Sequence, residues 1–336
     1  MGNSTSQIHT APSLTGRAGG ESALSSRWGI IYCPKQGVRR THKRWEHIKE
    51  LLDEQQVVYD FVQSEGPESV ERLTKMLVQN GYTTLIIVGG DSALNRALNG
   101  LLSFDDEVRQ RVELGLIPNG RGNDFAGFWG ITEEDDAKTV KILINKRIKK
   151  VDVGYIRSIE DCPEGDDYNQ PYYFLNCLNI GLVANIMKLK YKARRIFGLT
   201  TLTYFSSMIM LLFQRFETRM RLHVNEDWVE RKVMTVCVGN GRGYGQTPRA
   251  VPYNGMLDVS VVSHPKITKL IEGMWLLITG KFISHRDVSA YRTSRPVLFE
   301  DIRNATVSTD GLTIPSPQRP FEVGLLPEHI QFIIPS

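Results

Sequence analysis

The sequence predicts an α/β domain over residues 27–152 followed by a β-rich domain over residues 153–336, with a disordered tail over residues 1–26. Three observations predict it. From Arg27 to Val153, short apolar runs alternate with segments of helical periodicity, the pattern of a parallel sheet covered on both faces. After Val151 nearly every apolar segment reads as a strand, as in a largely antiparallel domain. Two consecutive strands of the first half end in glycine-rich turns, VGGD at 88–91 and NGRGND at 119–124. A length of 336 residues suits about two domains.

The elements follow in order. WGIIYC is a strand, KRWEHIKELLDE an amphipathic helix, VVYDFV a strand and ESVERLTKMLVQN a helix that stops at Gly81. TLIIVGG is a strand and SALNRALNGLL a helix whose apolar face is Ala93, Leu94, Ala97, Leu98, Leu101 and Leu102. VELGLIPNG is a strand with a loop, FAGFW a short helix and EDDAKTVKILINK a longer one. In the second half, VDVGYI, YYFLNCLNIGL, TRMRLHVN, VERKVMTVCVGN, MLDVSVVS, PVLFED, NATVSTDG, FEVGLL and IQFII are strands. The last of them is a candidate to return to the first domain.

Composition narrows the class. With 41 Lys and Arg against 37 Asp and Glu, the net charge of +4 demands no nucleic acid but allows a local basic patch for anionic lipid or phosphate. Cys33, Cys162, Cys177 and Cys237 form no CxxC pair, which suits a reduced, cytoplasmic protein. The opening MGNSTS matches the N-myristoylation pattern at Gly2 and Ser6, which applies only in a eukaryotic host. Residues 196–213 carry no charge, but their hydroxyls and length suit a helix buried between elements or partly facing lipid better than a span. The basic stretch 188–195 before it suits either a solvated helix face or anionic headgroups.

The two turns carry the chemistry. Gly89 and Gly90 let the backbone bend sharply and approach a ligand, and Asp91 or Ser92 can cap a helix starting at Ala93. That helix start lies at the C-terminal edge of the sheet, where open α/β folds bind ligands and the helix dipole favours anions. Gly120 and Gly122 make a second such turn. There Asn123 can bond a nucleotide, and Asp124 can hold a metal or cap the short helix. No GxxxxGK[ST] is present, and GNGRGYG at 239–245 lacks the spacing of a dinucleotide fingerprint.

VGGDSALNRALNGLL followed by GLIPNGRGNDFAGFWGI resembles the diacylglycerol kinase catalytic domain family, which includes bacterial lipid kinases and sphingosine and ceramide kinases. IIYCPKQG, RIKKVDVGYI, YFLNCLNIGLVANI, VGNGRGYGQTPRAVPYNGMLDVSVV and VSTDGLTIPS extend the resemblance over all but residues 1–26. It implies an α/β nucleotide domain similar to those of NAD and 6-phosphofructo kinases, then a lipid-binding β-sandwich, with ATP in the cleft between them. The implied reaction moves the γ-phosphoryl group of ATP to a lipid hydroxyl, most readily diacylglycerol, at a membrane surface with peripheral association. A sphingoid base or ceramide is the alternative acceptor. A non-catalytic nucleotide or lipid sensor and a soluble-substrate kinase are the alternative functions. A second copy of the chain is a candidate partner.

By resemblance, Gly89, Gly90, Ser92, Asn95, Gly120, Arg121, Gly122 and Asn123 bind ATP, Asp124 contacts Mg²⁺, and Asp91 and Asp310 are the candidate bases. Asp310 also reads as the turn residue of a D-G hairpin. Six positions depart from the family pattern. Cys33 replaces the asparagine of the first turn, Ser92 and Ala93 replace Gly-Thr, and Arg121 replaces a threonine. Leu312 replaces the glutamate of a DGE motif, and Asn254 stands where many bacterial members place an acidic ligand of a structural Mg²⁺.

Overall fold

A computed structural model describes residues 9–10, 27–34, 39–120, 122–163, 165–188, 218–242, 246–263 and 285–336. The acylation motif, Arg121, the basic stretch after Lys188 and the apolar segment 196–213 lie outside the described residues. Among the described residues no helix is long and apolar enough to cross a membrane. The chain forms two compact units, residues 1–151 with 328–336, and residues 152–327.

The first unit is an α/β layer structure. Its strands are β1 (His9–Thr10), β2 (Trp28–Tyr32), β3 (Tyr59–Gln63), β4 (Thr84–Gly89) and β5 (Glu113–Pro118). They lie in the order β1-β3-β2-β4-β5, and the C-terminal half of β16 (Phe321–Ile334) adds beside β5. All pairings are parallel except β1 on β3, with Ile31 opposite Ile87 and Phe332 opposite Leu114 in register. Every residue of β4 is buried, as a strand covered on both faces must be.

Helices α1 (Arg39–Glu54), α2 (Pro67–Gln79), α3 (Asp91–Leu101), α4 (Asp106–Arg109), α5 (Asp124–Phe128) and α6 (Asp136–Asn145) connect these strands. α1 buries Trp45, Ile48 and Leu52, one stripe at helical spacing, and Trp45 stacks on Tyr32 at 4.8 Å between ring centroids. α2 has Pro at its first position, and α6 starts where the Asp135 carboxylate accepts from the Lys138 amide at 2.8 Å. The chain leaves β2 for β3 on one side and returns to β4 on the other. The strand order therefore reverses between β2 and β4, and the C-terminal ends of those strands mark the switch point.

The second unit is a β-sandwich. β6 (Arg147–Ser158) leads into it, followed by β7 (Tyr172–Phe174), β8 (Cys177–Gly181), a helix over 182–188, β9 (Thr218–Val224) and β10 (Asp227–Gly239). β11 (Leu257–Ser263), β12 (Val288–Thr293), β13 (Val297–Asp301), β14 (Val307–Thr309) and β15 (Leu312–Ile314) complete it. β10 serves both layers: its first half pairs with β9, and its second half lies between β8 and β11. The core holds Leu178, Ile180, Val236, Val238, Val259 and Val261 from one layer and Leu222, Phe299 and Phe321 from the other. Phe299 and Phe321 stack at 4.8 Å, and burying each such ring stabilises the unit by about 2–3 kcal/mol.

Because side chains alternate across a strand, the opposite face of the β8–β10–β11–β14 layer carries Asn179, Cys237, Ser260 and Ser308 in one cross-strand row. All four are fully buried.

Candidate active site

In the first unit the ends of β2, β4 and β5 are stitched together. The Cys33 amide donates to Val88 O, the Asn119 amide to Gly89 O at 2.8 Å, and Asn119 Nδ2 to Cys33 O at 3.2 Å. Two glycines then meet back to back. A Cβ on Gly90 would lie 2.8 Å from the Gly120 Cα, and one on Gly120 would lie 2.6 Å from the Gly90 Cα. Neither position accepts a side chain. Gly89 packs in turn on Ala93, whose Cβ would be 2.7 Å from a Cβ at residue 89.

α3 corrects the expected capping. The helix begins at Asp91 rather than Ala93, with Gly90 as an extended N-cap and no side-chain cap bond. Ser92 therefore sits in the first helical turn, where no positive φ is required, and its replacement of a glycine strains nothing. Asp91 turns its carboxylate across to α5 instead. Oδ2 accepts from the Asp124 amide and Oδ1 from the Phe125 amide, both at 3.0 Å. Asp124 is thus the first residue of α5 and not its cap. Asn95, on the inner side of α3, is buried, and the Asn99 side chain donates to its carbonyl at 2.8 Å.

The second loop is built around Asn123, which adopts the left-handed conformation at φ 55°. Its Oδ1 accepts from the Gly120 amide at 2.8 Å, and its Nδ2 donates to Glu133 Oε1 at 2.9 Å. Arg44, on α1, holds the same loop from the far side. It donates to Pro118 O at 2.7 Å and grips Asp136 with two bonds of 3.0 and 2.5 Å. Nothing local in the sequence marks Arg44, because its partners lie 74 and 92 residues away and it reads as one charge on a solvated face.

Gly122 closes the loop over two carboxylates: a Cβ there would lie 3.3 Å from Asp91 Oδ2 and 3.6 Å from Asp124 Oδ2. This convergent pair of hard oxygen donors suits Mg²⁺, which binds one or two carboxylates and completes its shell with phosphate and water. Among the described residues no cluster of three or more His, Cys, Asp or Glu side chains is present. Burial pushes the nearby Cys33 thiol up to about 11, so it stays protonated and unreactive at neutral pH.

The remaining predicted residue, Asp310, belongs to the second unit. With Gly311 it forms the β14–β15 hairpin turn, at φ 46° and 82°, the double positive φ of a type I′ turn. Its carboxylate is 2% exposed and accepts from the amides of Leu175 (2.8 Å), Asn176 (2.9 Å) and Cys177 (3.0 Å). Asn240, which the sequence did not single out, clamps the same segment: its Nδ2 donates to Leu175 O at 2.8 Å and to Asp152 O at 2.9 Å. Leu312 opens β15 and is buried, so a hydrophobe fills the place of the DGE glutamate. Asn254 Oδ1 accepts from the Met256 amide at 3.0 Å, a turn-forming bond.

The family models match both units. Residues 27–156 match the diacylglycerol kinase catalytic domain, and residues 179–334 match the YegS C-terminal NAD kinase beta sandwich-like domain. YtlR of Bacillus subtilis (strain 168) is 25% identical over 273 residues, 77% of this chain and 84% of YtlR. The diacylglycerol kinase of Staphylococcus carnosus (strain TM300) is 23% identical over 302 residues, 86% of this chain and 89% of that protein. A crystal structure of a diacylglycerol kinase from Bacillus anthracis str. Sterne shares the fold, with a TM-score of 0.63, 18% identity, and coverage of 92% of this chain and 97% of that one. With both of its domains matched, the chain belongs to the diacylglycerol kinase catalytic domain family. It is a lipid kinase.

Proposed function

We propose that the chain transfers the γ-phosphoryl group of ATP to the primary hydroxyl of a diacylglycerol, giving a phosphatidic acid, while associated peripherally with the membrane that holds its acceptor. The observation that carries the nucleotide half of this reading is the contact between Gly90 and Gly120. It removes side chains from both loops where they meet, so backbone amides can approach a triphosphate, and the start of α3 favours its charge. Gly89, Gly90, Ser92, Gly120 and Gly122 lie under the phosphates in this reading, Arg121 adds charge by its place in the sequence, and Asn123 holds the second loop in shape through the Gly120 amide. The acceptor rests on the similarity to diacylglycerol kinases over 86% of the chain.

Phosphoryl transfer asks the protein mainly to position groups and offset charge. Asp124 would hold Mg²⁺, which when bound would neutralise charge on the phosphate oxygens, leaving the neighbouring Asp91 for the proton. Asp91 takes the proton of the attacking lipid hydroxyl. Both carboxylates accept backbone amides, but Asp91 accepts two and keeps partial exposure, whereas Asp310 is buried under three. Asp310 is therefore a positioning residue for the 175–177 segment.

A long-chain base is the second reading. Sphingosine kinase B of Dictyostelium discoideum is 26% identical over 125 residues, 37% of this chain and 16% of that protein. Labelled ATP with mixed micelles of diacylglycerol, ceramide and sphingosine tests both. Label in phosphatidic acid is expected. Label confined to a phosphorylated sphingolipid replaces the acceptor, and ATP binding without label in any lipid overturns the transfer reading.

A further inference from the structure

Two asparagines brace the glycine loops, and each uses both ends of its side-chain amide. Asn119 Nδ2 donates to Cys33 O at 3.2 Å, and its Oδ1 accepts from Arg44 Nη1 at 3.4 Å. Asn123 Oδ1 accepts from the Gly120 amide at 2.8 Å, while its Nδ2 donates to Gly120 O at 3.3 Å and to Glu133 Oε1 at 2.9 Å. Turned end for end, either amide would set donor against donor and acceptor against acceptor. The direction is fixed by partners that act in one sense only, because a guanidinium only donates and a carboxylate only accepts. Arg44 does this for Asn119 directly. Glu133 does it for Asn123 with Oε1, while its Oε2 lies 3.7 Å from Arg44 Nη1.

Arg44 also spans the second loop. It donates to Pro118 O, where the chain leaves β5, and holds Asp136, where α6 begins, so one side chain ties the two ends of the stretch 119–135. At 3.7 Å and with Glu133 32% exposed, the Arg44–Glu133 pair adds little stability of its own. What it supplies is direction, and the effect falls on Gly120. Asn123 occupies both backbone groups of Gly120, the residue whose Cα meets Gly90. The Asn119 amide meanwhile donates to Gly89 O, one residue before that contact. We propose that Arg44 and Glu133 are positioning residues for the nucleotide, a role that rests on the loops holding ATP. They touch no reacting atom. They hold Asn119 and Asn123 in the one orientation that keeps the two loops in contact.

The test uses the full chain. A non-hydrolysable ATP analogue with Mg²⁺ is titrated calorimetrically, and steady-state kinetics are measured in mixed micelles of diacylglycerol. Glu133→Ala removes the acceptor from Asn123 and should weaken analogue binding at least about tenfold, with a matching rise in the KM for ATP. Glu133→Gln removes the charge but keeps an oxygen for Asn123 Nδ2, so its affinity should stay within about threefold of the parent. Arg44→Lys keeps the charge, but an ammonium lacks the fork that holds Pro118, Asn119 and Asp136 together, so it should behave like Glu133→Ala. In all three, kcat at saturating ATP should change less than about threefold, since no reacting group is altered. Analogue binding unaffected by Glu133→Ala overturns the proposal. So do equal losses in the Gln and Ala variants, or a fall in kcat as large as the rise in KM. If circular dichroism shows Arg44→Lys unfolded, the Glu133 variants decide alone, and if no lipid is phosphorylated, the calorimetric comparison decides. A parent chain that does not bind the analogue overturns the nucleotide reading and this role with it.

Discussion

Asp91 and Asp310 show how one residue type divides its labour. Asp91 accepts two amides at the start of α5 and keeps partial exposure, while Asp310 is closed in under three. Asp91→Asn should lower kcat by at least 100-fold, within the range for loss of a general base, and shift the KM for ATP less than about threefold. Steady-state kinetics check this, and equal losses in both would make Asp91 a purely structural cap. Asp310→Asn keeps the tolerance for positive φ but turns a donor toward donors, so it should destabilise the protein by about 1–3 kcal/mol in denaturant unfolding. Unchanged stability with lost turnover would return the base role to Asp310. Neither arrangement is legible locally. The amides that Asp91 accepts lie 33 and 34 residues away, and those of Asp310 at least 133. The sequence marks the aspartates as chemically apt but cannot say which backbone groups will reach them.

At the scale of elements, the two glycine loops work as a pair. Gly120→Ala puts a methyl into the Gly90 backbone and should raise the KM for ATP at least tenfold, with unit 1 still folded by circular dichroism. An unchanged KM would show that the close approach is incidental to the nucleotide. Apart from the two-residue β1 and the four-residue α4, the strands of this unit were legible as short continuous apolar runs and its helices as segments of 3.6-residue period. Other elements were not. β12, VSAYRT, has only one buried position, and β15 is three residues long. FEVGLL and IQFII read as two strands because Pro327 and Glu328, at φ 48°, interrupt the alternation, yet they form the single β16. YYFLNCLNIGL read as one strand and is two, since Leu175 and Asn176 leave the ladder and present their amides to Asp310.

At the scale of the molecule, the C-terminal half of β16 joins the sheet of unit 1. Phe332 is fully buried there and packs edge-on against Phe125 of α5, with ring centroids 4.9 Å apart. Phe332→Ala should cost about 3–5 kcal/mol and, by loosening α5, lower ATP affinity as well. Thermal melting and nucleotide titration read the two effects, and a loss of stability with intact affinity would uncouple them. His329, in the same segment, titrates below its ordinary 6.5 because of burial first and Arg109 second. The folded state then binds fewer protons than the unfolded chain between the two pKa values. Its contribution is complete above pH 6.5 and is lost as pH falls toward the lowered value. The melting temperature should therefore decline as pH is lowered from 7, and His329→Gln should flatten that slope. An unaltered slope would assign the decline to other groups.

The return of β16 also orders events in time. A ribosome releases residues 1–151 well before residues 328–336, with the whole second unit made in between. During that interval β5 stands as an open edge, and the two glycine loops rest on a sheet one strand short. Completion of this sheet thus waits for residues 328–336, and nascent chains stalled before residue 328 should be more sensitive to proteases within the α/β unit even when the β-sandwich has already become resistant.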